Sequence, residues 1–261
     1  MLKKRIIFAL LYKDGKYCLS RNFRLQEVGD VDWLIKNFNF EDISNYIDEL
    51  FIINVGSANF SKIEFFNDIE KITKQFFIPI TLGGQINSID YAKELFSIGA
   101  DKISLNTAYL ENEKLALDLA QRFGSQAIVA SIDFRKMLVN GEKYFRCYSK
   151  NTSALNLNLF DHIETVQALG CGEILLRSFD SDGSSNGLDM DFLSAVSLKS
   201  STVPLIIAGG IGKSEHLIEG LVNPKINAVC TSNLLNFIND GFKVARQEVE
   251  LLGLPVSKIV T

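Results

Sequence analysis

Short β-branched runs alternate with longer amphipathic stretches along most of the chain. The runs predict strands over Arg5–Leu11, Glu49–Val55, Ile78–Leu82, Lys102–Asn106, Ala127–Asp133, Glu173–Ser178, Leu205–Ala208 and Ala228–Ser232. Helical spacing of apolar positions fills most gaps between them, over Ser88–Ile98, Asn112–Arg122, Leu159–Leu169, Met190–Leu198 and Glu215–Val222. Such alternation predicts an α/β fold in which crossover helices join parallel strands. Eight strands suit closure into a (βα)8 barrel. An open, doubly wound sheet fits the same periodicity.

An internal repeat favours the barrel. Ile78-Pro79-Ile80-Thr81-Leu82-Gly83-Gly84-Gln85-Ile86 resembles Val203-Pro204-Leu205-Ile206-Ile207-Ala208-Gly209-Gly210-Ile211, 125 positions further on. The same offset carries Asn106-Thr107 onto Thr231-Ser232, and an offset of 124 sets Glu49 on Glu173. A period of half the chain is too long for a solenoid. It predicts two (βα)4 halves placed face to face, with two related pockets across one mouth. Lys136–Asn158 is the longest stretch without a clear period, and is expected to be either an active-site loop or a surface insertion.

Composition narrows the class. At 261 residues and 47% apolar, the chain fits one large domain, expected to be a single barrel over 1–261. A formal charge of −4 offers no basic field for nucleic acid. No apolar run approaches the roughly 18 residues of a membrane span. Met1-Leu2-Lys3-Lys4-Arg5 begins like a signal sequence, but Lys13, Asp14 and Lys16 break the apolar stretch, so a cytoplasmic chain is expected. Cys18, Cys147, Cys171 and Cys230 lack C-x-x-C spacing, which predicts free thiols and no structural metal. No cofactor is expected. With His162 and His216 the only histidines, chemistry would fall to carboxylates, lysine and backbone amides.

Candidate chemistry clusters at strand ends. Gly83-Gly84 and Gly209-Gly210 each close a strand before a helix, where backbone amides can cradle phosphate. Thr231-Ser232 would add hydroxyls from the eighth strand. Asp133 ends the fifth strand, and Asp180 and Asp182 follow the sixth. Carboxylates there face the active-site mouth of a barrel and can act as bases or bind hydroxyls, although a turn or cap aspartate is the plain alternative. At the opposite end, Arg5, Glu49, Lys102 and Glu173 sit at strand starts. Charge placement alone reads them as a structural ring of ion pairs.

These motifs resemble the cyclase subunit of imidazole glycerol phosphate synthase over nearly the whole chain. The resemblance is carried by Arg5-Ile6-Ile7, Phe23 with Gly29-Asp30, Asp48-Glu49-Leu50, Gly99-Ala100-Asp101-Lys102-Ile103-Ser104, Phe123-Gly124-Ser125-Gln126-Ala127, Gly172-Glu173-Ile174-Leu175-Leu176 and Ala208-Gly209-Gly210. It implies a heterodimer with a glutaminase that releases ammonia at the barrel bottom. Arg5, Glu49, Lys102 and Glu173 match the family's gate, and Asp101 and Gln126 match its glutaminase-facing positions. Asp182, Gly183, Gly210 and Ser232 match one site for a phosphorylated small molecule, with Thr231 in place of a small residue. Asn106 and Thr107 match the other, where Gln85 replaces a glycine. Asp133 matches one catalytic aspartate.

The other catalytic aspartate, at the end of the first strand, is replaced by Leu11. Asn54 replaces a further strand-end aspartate, and Leu19 a lysine of the first loop. An altered top over a kept bottom resembles a branch of cyclase-like proteins that accompany acetamidino modification of surface-glycan sugars. The expected role is then to conduct ammonia from a glutaminase to a separate sugar amidotransferase. A working cyclase (a lyase), a phosphosugar isomerase without a glutaminase, and a scaffold that only activates the glutaminase are the alternatives.

Overall fold

The computed structural model describes residues 3–38, 40–57, 59–75, 77–149, 156–197, 201–232 and 241–257. Its strands are β1 Arg5–Lys13, β2 Lys16–Arg21, β3 Arg24–Gly29, β4 Glu49–Asn54, β5 Ile80–Gly83, β6 Lys102–Leu105, β7 Ile128–Val139, β8 Glu142–Cys147, β9 Glu173–Ser178, β10 Leu205–Ala208 and β11 Ala228–Thr231. Its helices are α1 Val31–Asn37, α2 Phe40–Ser44, α3 Lys62–Thr73, α4 Ile89–Ser97, α5 Thr107–Glu111, α6 Glu113–Phe123, α7 Leu159–Ala168, α8 Met190–Ser197, α9 Ser214–Val222 and α10 Gly241–Leu251. The expected end of α8 at Leu198 lies outside the described residues.

Eight strands pair in parallel in the order β1-β4-β5-β6-β7-β9-β10-β11. β11 then returns to β1, with Arg5 opposite Ala228 and Phe8 opposite Thr231. That pairing closes the (βα)8 barrel and rules out the open sheet.

The period-2 alternation of each strand divides its side chains between two layers. Ile7, Phe51, Val129, Leu175, Ile206, Ala208, Ala228 and Cys230 pack inside the barrel. Their neighbours, such as Ile6, Leu50, Ile128, Ile174, Ile207 and Val229, pack outward into the core under the helices. The helices present matching stripes: α6 buries Ala116, Leu119 and Ala120, and Asn112 caps it by accepting from Leu115 N.

The two-fold repeat extends beyond what the sequence pattern suggested. In each half the first strand overshoots the barrel and folds back as a hairpin, β1–β2 and β7–β8. The turns are Asp14-Gly15 (φ 48 and 77°) and Asn140-Gly141 (φ 50 and 82°), the positive pair that two-residue hairpins favour. The period-free stretch after the fifth strand is thus largely the β7–β8 hairpin, although its residues 150–155 lie outside those described. The first half adds β3 to its hairpin.

Candidate functional site

The strand starts form one end of the barrel. There Arg5 bridges Glu49 (2.9 Å) and Glu173 (3.0 Å), and Lys102 bridges the same two carboxylates at 3.1 and 3.2 Å. The four side chains close a ring whose charges cancel. Glu49 is its most buried member, at 1% exposure, and also accepts from Thr81 Oγ1 at 2.6 Å. Above the ring the lumen is apolar, lined by Ile7, Phe51, Val129 and Leu175. Asp101 and Gln126 are exposed at this same end, just ahead of β6 and β7. Asp101 anchors one carboxylate oxygen on Ile80 N at 2.8 Å.

The strand ends form the mouth, and the expected site residues divide between two cavities there. The larger, about 690 Å³, holds Asn106, Thr107, Asn54, Gln85, Asp133 and Tyr148 in its wall. The smaller, about 70 Å³, is bounded by Asp182, Gly183, Gly210, Thr231 and Ser232, with Leu11 beside them. Gly84 (φ 89°) and Gly210 (φ 90°) lie one place apart in the corresponding turns of the two halves, Gly84 matching Gly209 and Gly210 matching Gln85. A Cβ at either position would stand 1.9 Å from a carbonyl oxygen, of Asn54 and Gly187 respectively, so only glycine fits. Gln85 ties its side-chain amide to Gly56 O at 2.7 Å, filling space that a glycine would leave.

Asp133 stands at the mouth with both oxygens engaged. Arg177 Nε donates to one at 2.7 Å, and Asn106 Nδ2 to the other at 3.0 Å. The Arg177 guanidinium also lies 4.5 Å from the centre of the Phe23 ring. Phe23 packs edge-on against Tyr148 and Phe179. Arg177 was not among the residues expected from the sequence. The signal was nevertheless present: a lone cation ending the apolar run Ile174-Leu175-Leu176 of an interior strand.

The carboxylate of Asp182 also has structural partners. It accepts from Ser20 Oγ at 2.6 Å and Phe23 N at 3.0 Å, latching the β2–β3 turn over the mouth. Asp180 instead ties the loop after β9 to β7, accepting from Lys136 N at 2.8 Å. Leu11 is 5% exposed and lies opposite Ile53 of β4. Leu19 lies on β2, opposite Gln26 of β3.

Among the described residues no group of three or more His, Cys, Asp or Glu side chains could hold a metal. All four cysteines are buried and free. Burial pushes the thiols of Cys147, Cys171 and Cys230 up to about 12. No described helix is long and apolar enough to cross a membrane.

A closed barrel of two related halves, with paired strand-end cavities above and a charged ring below, defines a (βα)8 protein whose candidate ligand sites lie at the mouth. The chain belongs to the histidine biosynthesis protein family, whose model matches residues 5–237. It is 39% identical over 251 residues to a protein of Parasynechococcus marenigrum provisionally named imidazole glycerol phosphate synthase subunit hisF2, covering 96% of this chain and 91% of the relative. It is 35% identical over 257 residues to the imidazole glycerol phosphate synthase subunit HisF of Chlorobium limicola, covering 98% and 99%. The subunit HisF of Chlorobium phaeovibrioides is 34% identical over the same length. The chain is a HisF-like barrel.

Proposed function

We propose that this barrel conducts ammonia rather than closing an imidazole ring. A glutaminase docks on the end that carries Asp101, Gln126 and the ring of Arg5, Glu49, Lys102 and Glu173. Ammonia crosses the apolar lumen and leaves at the mouth for a separate amidotransferase. The acceptor is a surface-glycan sugar whose acetamido group becomes acetamidino.

The observation that carries this reading is the state of the two strand ends where the family places its acid–base pair. Leu11 can neither donate nor accept a proton, and Asp133 is held on both oxygens by Arg177 and Asn106. Loss of general acid–base catalysis commonly costs roughly 10²–10⁴-fold in rate. The ring, by contrast, keeps all four charges in place. An isomerase of phosphorylated sugars needs no such ring under an apolar lumen.

The second reading is a working cyclase, favoured by the retained cavities at both expected ligand sites and by relatives named HisF. Complementation separates the two. A histidine auxotroph lacking its cyclase subunit should not grow when given this chain with a matched glutaminase. Growth at the normal rate would establish the second reading.

A further inference from the structure

Two cavities meet at the top of the barrel lumen. The small cavity reaches down among Phe51, Leu175, Ala208 and Cys230, all apolar or thiol side chains of the interior layer. The large cavity lies beside it at the same mouth. Ile53, Ser131 and Arg177 are common to both walls. Of these only Arg177 has a side chain long enough to reach across. Asp133 fixes its Nε at 2.7 Å, and the Phe23 ring covers its guanidinium at 4.5 Å. Asp182 holds the Phe23 backbone by accepting from its N–H, and Tyr148 and Phe179 pack against its ring. The other half of the barrel has no counterpart, since the equivalent register pair is Leu11 and Ile53.

We propose that Arg177 is the stopper of the upper lumen, positioned by Asp133 and Phe23 so that a small solute passes between the chambers only when the guanidinium swings aside. The ammonia reading above supplies the identity of that solute, and the stopper itself rests on geometry alone.

Cys230 reports on the chamber from inside. Its thiol is 3% exposed and lies in the small cavity. Methyl methanethiosulfonate transfers its methylthio group to a thiolate and releases methanesulfinate, so labelling needs no further reactant. Peptide mass mapping then gives separate rates for Cys230 and for Cys171, which is buried in the outer core and serves as the baseline. The readout is the ratio of the two rates, which cancels general loosening of the fold.

Arg177→Ala should raise that ratio at least about tenfold, because access governs the labelling of a buried thiol. The Asp133→Ala/Arg177→Ala double variant should do the same without leaving a carboxylate unpaired. Burial raises the Cys230 thiol and the Arg177 charge pulls it down, so loss of that charge by itself acts against a rise. An unchanged ratio in both variants would overturn the stopper. The assay uses no glutaminase, so its outcome is independent of whether ammonia is the solute.

Discussion

Asp133 and Arg177 face each other in register across β7 and β9, just as Leu11 and Ile53 do across β1 and β4. One half of the barrel thus closes its mouth with a 2.7 Å ion pair, where the other presents two apolar side chains. Lower down, the two halves supply matched glutamates, Glu49 and Glu173, to one ring.

That ring is the first point to test. Lys102→Ala would leave Glu49 and Glu173 with Arg5 alone, two carboxylates sharing one cation. Breaking a buried charge pair costs about 3–5 kcal/mol, and the remaining arginine should keep the loss near about 3 kcal/mol. In a purified assay with glutaminase and acceptor enzyme, the ammonia transferred per glutamine hydrolysed should fall several-fold. Unchanged coupling would show that the ring is only structural.

A second buried pair holds the same end of the barrel. Arg246 of α10 grips Asp48 with two bonds, at 2.7 and 3.2 Å, and Asp48 also accepts from Ile6 N at 2.8 Å. Both side chains are under one-tenth exposed. Asp48→Ala leaves the buried guanidinium with only Glu250, at 3.5 Å, and the Ser257 carbonyl, and should cost about 3 kcal/mol. Urea denaturation should show the loss as a lower midpoint with little change in slope.

His162 sets an acid limit. It is buried on the inner face of α7, and burial lowers its pKa below 6.5. The folded chain therefore holds it neutral, while the unfolded chain takes up a proton near pH 6.5. Its contribution is fully present above pH 6.5 and is lost as pH falls below that value towards the folded pKa. Thermal scans should show the melting temperature dropping between pH 7.5 and 5.5, values about one unit either side of the unperturbed histidine pKa. His162→Leu should reduce that drop, and an identical pH profile in the variant would sink the assignment.

Much of the barrel was legible in the sequence because interior strands are nearly continuous apolar runs. Glu173–Ser178 and Leu205–Ala208 coincide with β9 and β10, most other strands differ by one or two residues at their ends, and β7 runs six residues past the expected Asp133. β2, β3 and β8 went unread, although Asp14-Gly15 and Asn140-Gly141 are hairpin turn signals and Lys143–Cys147 alternates. Helices α1, α2, α3, α5 and α10 were also unread. α2 and α5 are five residues each, too short to show a helical period. The ring was legible as charges at strand starts. The Asp133–Arg177 pair was not, because spacing along one strand says nothing of what a neighbouring strand places beside it. Asp182 likewise read as a ligand-site residue, while its carboxylate partners are Ser20 and Phe23, distant in sequence.

The most direct test is cyclase turnover by the purified barrel with ammonium salt as nitrogen source, which removes any need for a glutaminase. The family's bisphosphorylated substrate is followed to imidazole glycerol phosphate beside a HisF relative under identical conditions. With Leu11 in place of the acid and Asp133 held by Arg177, turnover should lie at least about 10²-fold below the relative. Turnover within a few-fold of the relative would contradict the account and make this barrel a working cyclase.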